Sequence, residues 1–315
     1  MTVTFEIQPR GPYSLTASAS FLCGFTPASS SATRTSGGMT FGFGLDGSFE
    51  PVAVSVEERG SALLVTAVGT TDVDAARRQV ARILSIDHDG EAWAELGKRD
   101  PVIGALMASY DGLRPVCFYS PYEAACWGIL AARTPMKMAA RVRAMLSEAL
   151  GKTLVVGSER IHTFPSPRAL LEASTLPHVP AVKAERLRGL ADAAIRGDLD
   201  VELIRSMDRE VALKHLRKLD GVGEWTASHI LVRGAGLTDE PAFVEPRVRA
   251  GFKLAYGLSI DPTEDELLSA AERWRPYRTW VSVLLAVHLS RTGGWDAIAT
   301  RRSSRSSPTR AHVRR

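Results

Sequence analysis

Residues 219–249 read LDGVGEWTASHILVRGAGLTDEPAFVEPRVR. A helix ending at Leu219, the run Asp220-Gly221-Val222-Gly223 and a helix beginning at Glu224 or Trp225 make a helix-hairpin-helix in outline. Gly221 and Gly223 permit positive φ and close backbone approach, so successive N–H groups at the start of the second helix can point at an anion. A phosphodiester fits that grip. Because backbone groups make it, it suits duplex DNA with little sequence preference, and Lys214 or Lys218 adds charge. The same residues also fit an ordinary helix C-cap followed by a turn. Two other patterns lead nowhere. Gly42, Gly44 and Gly47 spell G-x-G-x-x-G, but a dinucleotide fingerprint needs a following helix to receive the pyrophosphate, and a strand follows here. Cys23, Cys117 and Cys126 are too few and too irregularly spaced for a disulfide framework or a zinc site, so neither a metal nor a cofactor is expected.

The hairpin must be held by the elements around it. In the first hundred residues VTFEIQ alternates as a short strand and Ser14 opens a helix, SLTASASFLCGF. MTFGFGLDG, PVAVSVEE and SALLVTAV then run as strands separated by Asp46-Gly47 and Arg59-Gly60, the pattern of an antiparallel meander. Val73, Ala76, Val80 and Leu84 share one face of a helix packed on that sheet. Beyond about Asp100 the reading is helical almost throughout. Ser120 caps SPYEAACWGILAAR, Pro135 opens MKMAARVRAMLSEAL, and Leu187, Leu190, Ala191, Ala194 and Ile195 make a core-facing stripe. Further helices are expected over 209–219, 224–234, 246–256, 264–274 and 277–291, the last apolar nearly all round and therefore buried. No fixed-period repeat is visible.

Composition bounds the class. With 45% hydrophobic and 23% charged residues over 315 positions, the chain reads as a globular protein with room for two domains. No run approaches the roughly 18–20 apolar residues of a membrane span, and the N-terminus lacks the basic-then-apolar order of a signal peptide, so a cytoplasmic protein is expected. The net charge of +4 resides in the last fifteen residues, RRSSRSSPTRAHVRR, which hold six arginines and no acid. Without them 33 basic residues face 35 acidic ones. The tail reads as disordered, a source of non-specific phosphate attraction or simply a solubilising terminus.

LDGVGEWTASHILVRG resembles the L-P-G-I-G-x-W-T-A segment of the helix-hairpin-helix DNA glycosylases with a Gly/Pro-rich loop and catalytic aspartate (HhH-GPD), of the DNA-3-methyladenine glycosylase II type. AERWRPYRTW, residues 271–280, resembles that type's A-E-R-W-x-P-W-R-S-Y stretch, and SPYEAACWGIL through MAARV resembles the helices before its hairpin. The resemblance covers everything but the tail. It implies an α+β fold, with an N-terminal antiparallel sheet with helices (TBP-like) over 1–99, an all-α helix-hairpin-helix glycosylase domain over 100–298 and a basic tail over 299–315. It further implies a monomeric, monofunctional DNA N-glycosylase that excises alkylated purines of the 3-methyladenine type from damaged double-stranded DNA in base-excision repair. A catalytically weak or silent damage-binding protein of the same fold is the alternative.

The family's catalytic Asp lies 26 residues after the leucine that opens the hairpin. Counting from Leu219 reaches Glu245, a carboxylate one methylene longer. Cleaving the bond between base and deoxyribose develops positive charge on the sugar, which a fixed carboxylate stabilises while orienting water. An extra methylene shifts that group by roughly an ångström, and about 1 Å of misplacement costs on the order of 10²-fold in rate. A helix-start carboxylate that merely offsets the dipole is the structural alternative for Glu245. Strand-nicking relatives carry a Lys where this chain has Trp225, so hydrolysis leaving an abasic site is implied. Trp225, His229 and Phe25 match base-pocket positions, where a flipped cationic base stacks on rings; each also fits core packing. Gly221, Val222, Gly223 and Lys218 are the implied DNA grip. Where the family has a Gln and an apolar wedge, this chain reads Ala131-Ala132-Arg133-Thr134-Pro135, and Arg133 becomes the candidate to contact the orphan base or remains a solvated loop residue.

Overall fold

The structure, a computed structural model, describes residues 1–24, 31–35, 37–243 and 245–293. Phe25 and the arginine-rich tail lie outside the described residues. Strands β1 (Thr2–Ile7), β2 (Ala32–Arg34), β3 (Gly38–Gly44), β4 (Pro51–Arg59) and β5 (Ala62–Val68) form an antiparallel sheet in the order β1-β5-β4-β3-β2. The period-2 pattern directs Phe41, Phe43, Val54 and Val65 into one core with helices α1 (Leu15–Gly24) and α2 (Val73–Ile83). Tyr119 stacks on Phe41 there, ring centroids 5.6 Å apart.

The other face of the sheet carries a feature the sequence reading missed. Residues 153–162 form a hairpin of β6 (Thr153–Val156) and β7 (Glu159–His162), a correction to the all-helical expectation beyond residue 100. Gly157 turns it at φ 60°, and Val156 and Ile161 pack on Ala53 of β4. Gly42 makes the approach possible, since a Cβ there would lie 2.5 Å from Ile161 Cγ2. The glycine pattern of β3 thus serves sheet packing, and strand β4 follows it as expected.

Helices α3 (Gly90–Arg99) and α4 (Pro101–Ser109) are capped by Asp89 and Asp100. Ser120 caps α5 (Pro121–Ala131), which is buried on every side except at its last residue. Around it lie α6 (Met136–Leu150), α7 (Pro167–Glu172), α8 (Ala181–Ile195), α9 (Val201–Ser206), α10 (Arg209–Leu216) and α11 (Glu224–His229). A separate core joins α3 and α4 to α12 (Pro246–Ala255), α13 (Glu264–Glu272) and α14 (Arg278–Arg291). Asp100 anchors that core by accepting from Trp274 Nε1 at 3.0 Å and Tyr256 Oη at 2.5 Å. Burial opposes its ionisation, but these donors, with Arg273, hold the carboxyl below its usual pKa. Among the described residues no helix is long and apolar enough to cross a membrane.

Three buried arginines tie the layers together. Arg82 of α2 donates to Gly234 O, Tyr119 O and the Asp46 carboxylate. Arg114 reaches the carbonyls of Pro12 and Ser85 at 3.0 and 3.2 Å. Arg143 of α6 pairs with Glu123 of α5 at 2.6 Å, both almost wholly buried, and also donates to Ser31. Burial pushes the Glu123 carboxyl above its usual pKa even with Arg143 beside it. Arg143→Met leaves a lone buried carboxylate and is expected to lower stability by about 3–5 kcal/mol in urea unfolding, while adding Glu123→Met should restore most of the loss.

Candidate active site

The hairpin forms between α10 and α11, with α10 ending at Leu216 rather than Leu219. Gly221 adopts φ 78°, and a Cβ there would lie 2.7 Å from both Arg186 Cδ and Ile129 Cδ1. Gly223 stands at the N-cap of α11 with open space around its missing Cβ, and no side chain caps the first turn. Its neighbourhood is the part of the hairpin free to approach a ligand. Val222 instead anchors the turn: its side chain is buried in the α5 core and its N–H donates to Leu219 O. Lys218 is exposed beside the turn.

After α11 the backbone widens into one π turn, Ile230–Gly234, in which Ala235 N donates to Ile230 O at 2.8 Å. Gly128 and Gly234 permit this segment to lie against α5: a Cβ on Gly128 would meet Thr226 Cγ2 at 2.4 Å, and one on Gly234 would meet Pro121 Cα at 2.8 Å. The result presents His229 and Arg233 toward a pocket of about 420 Å³.

Trp225, His229 and Glu245, proposed from sequence, all line this one pocket. Trp225 is 42% exposed and stacks on His229, centroids 4.9 Å apart and planes 10° from parallel. Phe118 meets the other side of the imidazole edge-on at 5.3 Å. His229 Nε2 is buried without a hydrogen-bond partner among the described residues. Burial, reinforced by the nearby Arg233 charge, pushes the imidazole pKa down to about 3. The ring is therefore neutral at physiological pH.

Glu245 begins α12 but makes no side-chain capping bond. Its Oε1 accepts from Arg247 Nε at 2.8 Å. Its position is set from behind by α14: Thr279 Oγ1 bonds the backbone of Glu240, and Arg278 grips the Asp239 carboxylate at 2.7 Å. Gly251 lets α12 approach α14 closely, since a Cβ there would lie 2.3 Å from Leu285 O.

Several wall residues were not singled out from sequence. Arg233 lies over the Phe21 ring at 5.2 Å and donates to Val116 O, and burial pushes its pKa down to about 10, so it stays charged. Its signal was a basic residue four positions after His229 on an otherwise apolar stretch. Helix α14 was expected to be buried all round; its face of Ser282, Val283, Ala286 and Ser290 instead forms a small-residue wall of the pocket. Arg133 stays apart from this pocket on the loop after α5, at φ 53° and exposed. Lys183 fixes that loop by donating to Leu130 O, Ala132 O and Thr134 Oγ1 at 2.7, 2.8 and 2.7 Å.

Known proteins are similar to this chain in sequence and in fold. The chain is 25% identical over 204 residues to DNA-3-methyladenine glycosylase of Bacillus subtilis, covering 64% of this chain and 67% of that one. It is 29% identical over 198 residues to DNA-3-methyladenine glycosylase 2 of Escherichia coli, covering 62% and 65%. The matched stretch thus spans about two thirds of each relative's length. In fold it matches the 3-methyladenine DNA-glycosylase from Archaeoglobus fulgidus with a TM-score of 0.73 at 20% identity, over 90% of this chain and 97% of that one. It also matches the Clostridium acetobutylicum 8-oxoguanine glycosylase/lyase, solved with double-stranded DNA containing cytosine opposite 8-oxoG, with a TM-score of 0.64 at 16% identity over 92% and 98%. No family model matches the chain. In sequence the chain is thus similar to DNA-3-methyladenine glycosylases, and in fold to solved DNA glycosylases.

His229 leaves a measurable trace in acid. The folded imidazole stays neutral down to about pH 3, whereas in the unfolded chain it binds a proton below about 6.5. Its contribution to stability is complete above that pH and falls as pH drops, by roughly 1 kcal/mol per unit. Urea unfolding at pH 7 and pH 5 is expected to show wild type losing about 2 kcal/mol more than His229→Phe over that interval.

Proposed function

We propose that this chain is a monofunctional DNA N-glycosylase that removes alkylated purines, such as 3-methyladenine, from double-stranded DNA in base-excision repair. The observation carrying this reading is that one carboxylate, Glu245, shares a pocket of about 420 Å³ with the stacked pair Trp225 and His229, next to a glycine hairpin. The lesion is flipped out of the duplex and stacks on Trp225. Positive charge that develops on the deoxyribose as the base leaves is stabilised by Glu245, which also orients the attacking water. Arg247 holds the carboxylate in one orientation for that task. An alkylated cationic base departs without a general acid, and neither the neutral His229 nor any cofactor is needed to protonate it. With Trp225 where strand-nicking relatives place a lysine, no Schiff base forms and the product is an intact strand with an abasic site.

The open side of the hairpin at Gly223, with Gly221 and Lys218 around it, holds a backbone phosphate, and Arg133 occupies the space vacated by the flipped nucleotide. The duplex bound to the Clostridium neighbour supports double-stranded DNA as the partner. The same reading takes the protein as a cytoplasmic monomer, with a TBP-like sheet domain over 1–99, the glycosylase domain over 100–298 and a basic tail over 299–315 adding positive charge.

Single-turnover release of 3-methyladenine and 7-methylguanine from methylated duplex tests the chemistry. Glu245→Gln is expected to slow release by about 10²–10³-fold while lesion-containing duplex still binds. Binding without release by the wild type would leave a damage-binding protein instead. The hairpin has its own test. Gly223→Ala meets open space, so it should fold normally yet weaken duplex binding by about tenfold or more. Gly221→Ala should cost stability as well, because φ 78° strains any residue with a Cβ.

A further inference from the structure

The pocket that Trp225, His229 and Glu245 share is longer and more basic than a methylated purine requires. Thr279 and Ser290, near the two ends of α14, both line it, so it runs for about 16 Å along that helix. A flipped purine fills only part of that length. Along it α14 presents Ser282, Ala286 and Ser290 instead of bulky side chains, which leaves room beyond a base stacked on Trp225.

The charges are as uneven as the shape. Among the described residues that line the pocket, three guanidiniums, those of Arg233, Arg247 and Arg291, stand against one carboxylate, Glu245, which already accepts from Arg247. Burial lowers the pKa of Arg233 to about 10 and the field of Arg247 adds to the shift, so Arg233 is charged and the two guanidiniums share one neighbourhood. Arg233 also depresses the His229 imidazole, which places its charge beside the stacked pair. That charge acts on anything that enters the cavity, whichever atoms its donors bind. A purine alkylated at N3 or N7 has a positive ring, and a methyl substituent brings nothing to offset Arg233. An alkyl group ending in a carboxylate occupies the space along α14 and sets an anion against the guanidinium, a charge-assisted contact.

We propose that the pocket selects purines whose N-alkyl group is acidic, carboxymethyl being the smallest such group, with the ring on Trp225 and the substituent carboxylate drawn to Arg233. This narrows the substrate class within the lesion-site reading on which it rests. The reaction is unchanged. The C1′–N9 bond breaks, the oxygen of water bonds to C1′ while its proton passes to solvent, and the base leaves with the bonding electrons, so its ring becomes neutral and its carboxylate stays ionised.

Equilibrium binding of the full chain tests this, with duplexes carrying one 7-carboxymethylguanine or its uncharged isostere 7-carbamoylmethylguanine on a 2′-fluoroarabino sugar that blocks cleavage. The carboxymethyl duplex should bind about tenfold tighter. Arg233→Gln should erase that preference and Arg233→Lys should keep it. Each variant is read as a ratio between two ligands, so a partial loss of folded protein cancels. Equal affinity of the wild type for both duplexes, or a preference that survives Arg233→Gln, would overturn the proposal, and so would a preference lost in Arg247→Gln but kept in Arg233→Gln. Release of 7-methylguanine from an ordinary deoxyribose duplex is followed in parallel. Its absence with the preference intact would refute excision while upholding the acidic-substituent site; release without the preference would do the reverse.

Discussion

The guanidinium of Arg82 sits where the sheet layer, the segment before α5 and the π turn after α11 meet. Taking such a charge out of water costs several kcal/mol unless its donors are matched, and here the Asp46 carboxylate and the carbonyls of Tyr119 and Gly234 match them. Asp46 lies in the turn between β3 and β4, Tyr119 packs on Phe41 of β3, and Gly234 closes the turn that carries Arg233. A displacement of the sheet and α2 relative to the helices would break the bonds to both carbonyls together. The wall of the pocket that Trp225, His229 and Glu245 share is thereby held in register with a sheet that lines none of it.

What the arginine fixes at long range, missing side chains fix at short range. Gly128 against Thr226, Gly234 against Pro121 and Gly251 against Leu285 O each set a backbone separation that a methyl group would enlarge. The first two draw α11 and the π turn onto the central helix α5; the third draws α12 onto α14. Trp225 and His229 arrive on one of these units and Glu245 on the other, so the width of the pocket between them is set by three glycines rather than by contacts within the pocket itself.

Much of this was legible in the chain because its causes are local. The meander of β3 to β5 followed from alternation and Asp-Gly or Arg-Gly turns, the start of α5 from Ser120, and the hairpin from two glycines ahead of an apolar helix. Glu245 could be located by counting from Leu219, and it does share a pocket with Trp225 and His229. What escaped depends on contacts distant in sequence. The β6 and β7 strands are only four residues each, short enough to disappear between helices, and they persist because Gly42 lets Ile161 settle onto the sheet. Arg82, Arg114 and Arg143 read as surface residues by type, and only the carbonyls and carboxylates that the fold brings to them explain their burial. The pocket face of α14 was hidden by composition, since Val283 and Ala286 look the same in a sequence whether they face a core or a cavity.

The charges around the pocket explain why burial of His229 matters to a carboxylate it does not touch. Glu245 faces Arg247 directly and shares the pocket with Arg233, so a protonated imidazole on Trp225 would add a further cation to the same cavity. Holding the ring between Trp225 and Phe118, with Nε2 sealed from water, removes that charge at any physiological pH. Arg233 is accommodated by another route: it keeps its charge while its guanidinium lies over Phe21 and donates to Val116 O. Aromatic surface thus does two jobs in the same wall, enclosing an imidazole that stays neutral and covering a guanidinium that stays charged.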